Sequence, residues 1–153
     1  MRWLYLITKT AKIKQIDMNC TELCEQLVKQ KDEAHVRLKD SLPYILQLSN
    51  KKIEAIERGF GSFNVNDMML YILMCKASFI LTGQEYWIIS TVDDLRECIK
   101  REREFAGISS RQLAKNVKVP MTVIDAFENR DGGLRIESFL DIINALDIEI
   151  QFE

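Results

Sequence analysis

Cys20 and Cys24 stand four residues apart, a spacing that puts two thiols on one face of a helix, and His35 is the only histidine in the chain. Thiolates and imidazole are ligands of zinc, so the three residues sketch a metal site. The set is incomplete, because a structural zinc takes four well-spaced ligands. The favoured reading is helix packing for the two cysteines and a loop position for His35, with no metal and no cofactor. Cys75 and Cys98 complete the cysteines, and all four are expected to be reduced and buried. The chain has no phosphate loop and no paired His/Cys arrangement, and its scattered Asp and Glu residues read as helix surface. An enzyme is not expected.

The elements that carry these residues repeat. At a shift of 71 the apolar frame of the first half overlays the second: Leu42 on Leu113, Leu46 on Val117, Leu48 on Val119, Ile53 on Ile124 and Ile56 on Phe127. Glu57 falls on Glu128, Val65 on Ile136, Met69 on Leu140 and Ile72 on Ile143. Upstream the shift becomes 72, with Leu23 on Leu95, Leu27 on Ile99 and Ala34 on Ala106, as an indel in an interhelical loop would produce. A duplicated unit of this length is a domain repeat. The domains expected are an N-terminal arm or strand over 1–19, a first unit over 20–77, a connector over 78–90 and a second unit over 91–153.

In the second unit Leu113 and Val117 lie at i and i+4 beside the small Ala114. Val119 and Pro120 follow, then Ile124 and Phe127-Glu128-Asn129. This pattern resembles the helix-turn-helix core of the Xre or Cro/cI-type DNA-binding family. The tail through Ile136, Phe139, Ile143 and Phe152 resembles the HipB-type antitoxin branch, which ends in a short strand. Ile148, Ile150 and Phe152 alternate with Glu149, Gln151 and Glu153, the period of a half-buried strand. The fold class expected is mainly α, with two lambda-repressor-like helix-turn-helix units and a short hairpin or small sheet between them. Helix one of the second unit should run from about Thr91 to Ala106, with Leu95, Ile99 and Phe105 inward and Gly107 at its end. The last helices should cover Ile136–Leu146 and Val65–Cys75. Gly59, Gly61 and Gly132-Gly133 follow the two recognition helices, where turns with positive φ are expected.

The resemblance also implies site residues. Family members pair an Arg on helix one with the Glu of the recognition helix. Arg103–Glu128 and Lys31–Glu57 are the ion pairs this implies. DNA contacts map to Lys39, Ser49, Asn50, Lys51, Lys52 and Arg58 in unit one, with Ala55 also on the exposed face. In unit two they map to Ser110, Arg111, Met121, Thr122 and Arg130, with Asp125 and Ala126 beside them and Lys115 and Lys118 near the backbone. Lys and Arg bind phosphate, Asn can pair with adenine, and Met or Ala offers only apolar contact, as with a thymine methyl. Pro43 replaces the small residue of the motif in unit one.

Composition is compatible with this reading and tempers it. The chain has 153 residues, 47% of them hydrophobic, and 2 prolines, enough for two small ordered units with a shared interface. No apolar run reaches a membrane span. Met1 to Ile7 is brief, is interrupted by Thr8-Lys9 and has no cleavage site after it, so a cytoplasmic protein is expected. Residues 1–90 carry 12 Lys/Arg and 10 Asp/Glu, a net of +2, and residues 91–153 carry 9 and 13, a net of −4. That balance counts against DNA binding unless a local basic face exists. Ser78–Ser90 places two β-prone runs around Thr82-Gly83-Gln84-Glu85, a hairpin signal. The hairpin either joins the units in one sheet, with Trp3–Ile7 at an edge, or merely caps the first core. The function expected is a sequence-specific, Xre-type transcriptional regulator, antitoxin-like and self-repressing, acting as a single-chain pseudo-dimer on double-stranded DNA. A toxin-like protein partner or a homodimer is compatible with it. The alternative is a protein-interaction module that kept the scaffold and lost DNA.

Overall fold

A computed structural model gives the fold, and residues 17–34, 47–59 and 62–153 are described. His35, Lys39, Leu42, Pro43, Leu46, Gly61 and the Trp3–Ile7 segment lie outside them. Among the described residues the chain is mainly helical. It runs α1 (Cys20–Glu33), α2 (Asn50–Arg58), α3 (Val65–Cys75), β1 (Phe79–Thr82), β2 (Tyr86–Ile89), α4 (Val92–Phe105), α5 (Ser110–Val117), α6 (Met121–Asn129), α7 (Ile136–Ala145) and β3 (Glu149–Phe152).

The helix starts are written in side chains. Asn19/Glu22, Asn64/Asp67, Thr91/Asp94 and Ser109/Gln112 form reciprocal capping boxes on α1, α3, α4 and α5. In each, the cap side chain accepts one backbone N–H and the third helical residue accepts another. Ser49 caps α2. The N-cap positions of α6 and α7 are Pro120 and Arg135, neither of which makes a side-chain cap.

The first turn of α7 is satisfied from the other half of the chain. Ile136 N–H donates to the Phe63 carbonyl at 3.2 Å, and Val65 N–H donates to the Leu134 carbonyl at 3.0 Å. Asn64 and Arg135 thus form an antiparallel bridge, and they are 71 residues apart. The same exchange occurs in the sheet. Strand order is β2-β1-β3, and β1 pairs antiparallel with both neighbours. Between β1 and β3, Ile80 faces Gln151, again 71 apart, with Phe79 opposite Phe152 and Leu81 opposite Ile150 around it. Each contact of residue i with j is mirrored by one of j with i, the mark of an isologous contact. The offset recurs at the helix ends. Lys76 and Asp147 both take positive φ, 54° and 56°. Ala77 N–H then donates to Ile72 O, and Ile148 N–H to Ile143 O.

The sheet therefore joins the two halves, rather than only capping the first. Its inner face carries Phe79 stacked on Phe152 at 5.3 Å between centroids, with Leu81, Ile89 and Ile150 buried beside them. One continuous core runs from Leu23, Ile56 and Met68 to Leu113, Phe127 and Phe139.

Three expectations need correction. Phe105 is 51% exposed, because α4 ends at that residue and the chain leaves the core surface there. The turn after α6 takes its positive φ at Asp131 (57°), not at Gly132 or Gly133. Gly132 is needed for space instead, since a Cβ there would sit 2.8 Å from that of Ala126. Finally, the acidic residues are not all surface. Glu102 on α4 is 2% exposed and accepts hydrogen bonds from the Gln84 and Glu85 backbone N–H groups (2.7 and 3.0 Å) and from Trp87 Nε1 (2.9 Å). A Cβ on Gly83 would lie 2.3 Å from the same carboxylate.

Glu102 thus clamps the hairpin onto α4. Truncating it removes three part-buried hydrogen bonds to a charged acceptor, each worth roughly 1 kcal/mol. Glu102→Ala should lower unfolding free energy by about 3 kcal/mol in urea titration and expose Trp87, read as a red shift of its emission. A midpoint equal to the parent's would show that the clamp holds nothing.

Candidate nucleic-acid interface

α5 and α6 are joined by the three-residue turn Lys118-Val119-Pro120, with Lys118 at φ 55°. Leu113 and Val117 from α5, Val119 from the turn, and Ile124 and Phe127 from α6 are all buried. The apolar spacing read from the sequence therefore packs the pair as expected. What fixes α6 is the face of α4 below it. Arg103 Nε donates to both carboxylate oxygens of Glu128 (3.1 and 3.0 Å), and its Nη2 reaches Oε1 at 2.7 Å. Its Nη1 donates to the Ile108 carbonyl at 2.8 Å, tying the loop before α5 into the same knot. The Glu128 side chain is fully buried. This forked contact raises the Arg103 pKa, the hydrogen bonds to Glu128 outweighing burial.

Two further α4 cations hold the end of α6, and sequence reasoning missed both. Arg96 lies 4.9 Å over the Phe127 ring and donates to the Phe127 and Gly132 carbonyls at 3.1 and 3.3 Å. Cations at a helix C-terminus complement its unpaired carbonyls. Lys100 Nζ reaches Asn129 Oδ1 at 3.0 Å. The signal was available: Arg96, Lys100 and Arg103 lie at i, i+4 and i+7, one stripe of a helix.

With its C-terminal half held, α6 leaves its N-terminal end open. Met121 is 43% exposed, and Thr122 and the preceding Pro120 are exposed. Asp125 and Ala126 are half-buried. Asp125 accepts from Asn129 Nδ2 at 3.1 Å and pairs with Arg130 at 3.3 Å, which offsets its charge on that face. Arg111, Lys115 and Lys118 are exposed along α5 and its turn, while Ser110 is half-buried.

In the first half Lys31 pairs with Glu57 as expected, at a site about one-third exposed. Glu57 also accepts from the buried Tyr71 hydroxyl at 3.4 Å, and burial with that carboxylate nearby pushes the Tyr71 pKa up. Asn50, Lys51 and Arg58 are exposed on α2. Ser49 is exposed but spends its Oγ on the Lys52 N–H at 3.3 Å. Lys52 is engaged: its Nζ donates to the Ser62 carbonyl at 2.8 Å and lies 3.5 Å from Asp67. Ala55 is in the core rather than on the outer face, because it shares the inner stripe of α2 with Ile56. Lys39 lies outside the described residues.

Compared with models of known families, with curated proteins and with solved structures, the chain matches none.

Cys20 and Cys24 bring their sulfurs to 4.0 Å. Among the described residues no group of three or more His, Cys, Asp or Glu stands together as metal ligands. Burial pushes the Cys24 thiol up to about 12 and Cys75 likewise, and raises Cys98 through burial and then Glu102. These thiols stay protonated at neutral pH and are poor nucleophiles. A thiol-specific chromogenic reagent should therefore modify at most Cys20 in the native protein and the other three only after denaturation. Rapid native modification of Cys24 would contradict the packing.

Arg103 and Glu128 make the sharper test. Arg103→Met leaves a buried carboxylate without its cation, a loss of about 3–5 kcal/mol, whereas Arg103→Met with Glu128→Leu should regain most of it. Equal losses for the single and double variants would mean that the pair is not what holds α6.

Proposed function

We propose that the chain is a sequence-specific, double-stranded-DNA-binding transcriptional regulator of Xre type, cytoplasmic and without catalytic activity. It reads DNA as a single-chain pseudo-dimer, with α2 and α6 as its recognition helices. An antitoxin-like autorepressor, with a toxin-like protein partner, fits the same reading. The observation that carries it is the exchange contact between halves. Residues 71 apart meet at Asn64–Arg135 and Ile80–Gln151, which supports a reading of two like units held against each other by backbone pairing. Equivalent helices at fixed separation are what two successive half-sites on one face of a duplex require.

The open N-terminal ends support it further. Asn50 on α2, and Met121 and Thr122 on α6, are exposed where a recognition helix touches base edges, and the exposed Lys51 beside Asn50 suits phosphate. Arg58, Arg111 and Arg130 are exposed around them and suit phosphate. Lys52 and Ser49 act inside the protein and have a smaller part in contact with DNA. Among the described residues no helix is long and apolar enough to cross a membrane.

A second reading, a protein-interaction module on the same scaffold, draws on Met121, a large apolar side chain 43% exposed at the tip of α6. Random duplexes offered at low and moderate salt separate the two. The regulator should enrich a split motif, lose affinity steeply as salt rises, and lose about one phosphate contact from its salt slope on Lys51→Glu. No duplex retained at low salt would overturn DNA binding and favour the interaction module, for which Met121→Asp is then the diagnostic substitution.

A further inference from the structure

The two halves share a frame but not a reading surface. At the open end of α2 the exposed side chains are Asn50 and Lys51, which carry hydrogen-bond donors and, in Asn50, an acceptor. At the corresponding end of α6 they are Met121 and Thr122, which offer a thioether, two methyl groups and one hydroxyl. The nearest carboxylate, Asp125, is held by Asn129 and Arg130, so it is not left to face a base or phosphate alone. In an ordinary homodimer identical helices read both half-sites, and the site must be a palindrome. Here both helices belong to one chain, joined by backbone pairing at Asn64–Arg135 and along β1–β3, so nothing forces the half-sites to match.

We infer that this chain reads a directional duplex with two unlike half-sites. One is specified by hydrogen bonds from α2 to purine edges in the major groove, and the other by apolar contact of α6 with thymine methyls. This rests on the DNA-binding reading above. Asn forms a paired contact with adenine N6 and N7, while Met and the Thr methyl read only the C5-methyl group, and the single Thr122 hydroxyl, able to donate or accept, distinguishes bases less than a paired contact does. The α2 half-site therefore carries most of the sequence information. The chain binds with fixed polarity, unit one on the informative half.

The test uses the full chain and the duplex it enriches from a random pool. Thymines are replaced by deoxyuridine in one half at a time, which removes a methyl group and changes no hydrogen bond. Substitution in the less informative half should weaken binding about fourfold for each buried methyl, and Met121→Ala should reduce that sensitivity. Asn50→Ala should cost about tenfold and relax preference in the other half alone. Both side chains are exposed, so thermal melting should match the parent for each variant. An enriched palindrome with equal halves, or deoxyuridine without effect in either half, would overturn the directional reading while leaving DNA binding intact. Failure to retain any duplex at low salt would remove both.

Discussion

Everything else in the molecule leans on a reciprocal exchange of backbone hydrogen bonds between its halves. A helix begins with N–H groups that its own ladder cannot satisfy. α7 has an arginine at its N-cap and no side-chain cap, so its first N–H is left to Phe63, while Leu134 takes the matching N–H of α3. The sheet repeats the arrangement: β1 has β2 on one edge and β3 on the other, so the second half supplies a strand that the first half lacks. Pulling the halves apart would strand these groups and uncover Phe79, Leu81 and Ile150, none more than 8% exposed. The halves are locally capped, yet they share one continuous core.

The same physics explains why the two ion pairs are unequal despite equivalent positions. Arg103 has a planar fork that matches a carboxylate, and Glu128 is wholly buried, so each makes the other tolerable. Lys31 and Glu57 keep about a third of their side-chain surface in water. That contact is screened and flexible, and worth little by itself. In its place, Tyr71 closes the site with a hydroxyl on the same carboxylate. The second unit is therefore fixed at α6 by charge and geometry, while the first is held more by apolar packing of Ile56, Met68 and Tyr71.

Much of the architecture was legible because it is local. Period-3.6 apolar spacing gave the helix faces and the start of α4 near Thr91, and the alternation after Asp147 gave β3. The 71-residue offset was visible as an overlay of Leu48 on Val119 or Ile53 on Ile124, and it returns as the spacing of residues that touch. What was not legible depends on distant partners. Glu102 looks like any helix-surface carboxylate until the hairpin folds over it. Ala55 looks exposed until the inner stripe of α2 is placed. Lys52 reads as a phosphate ligand until Ser62 and Asp67 arrive beside it. The stripe of Arg96, Lys100 and Arg103 was readable by spacing, but its use, gripping the end of α6, needs the fold.

Those internal uses bear on the charge argument against nucleic acid. The second half carries a net of −4 by count, but a count does not say which face carries the charge. Glu102 and Glu128 are buried, the Asp94 carboxylate accepts from the Ser90 and Thr91 backbone N–H groups, and Asp125 is paired with Arg130. Arg96 and Arg103 are largely buried as well, so burial takes two acids and two bases from the surface and what matters is where the remaining charges lie. What remains exposed along α5 and its turn is Arg111, Lys115 and Lys118. On α2 it is Lys51 and Arg58 against Glu54 and Glu57, the last paired with Lys31. Binding to phosphate depends on the local field within about a Debye length, roughly 8–10 Å, so a slightly acidic chain can still present cations where a duplex backbone would pass. In the proposed regulator the acidic remainder would act at longer range and limit non-specific association. Under that proposal discrimination falls to the side chains at the helix tips, and those tips differ: Asn50 and Lys51 on α2, Met121 and Thr122 on α6.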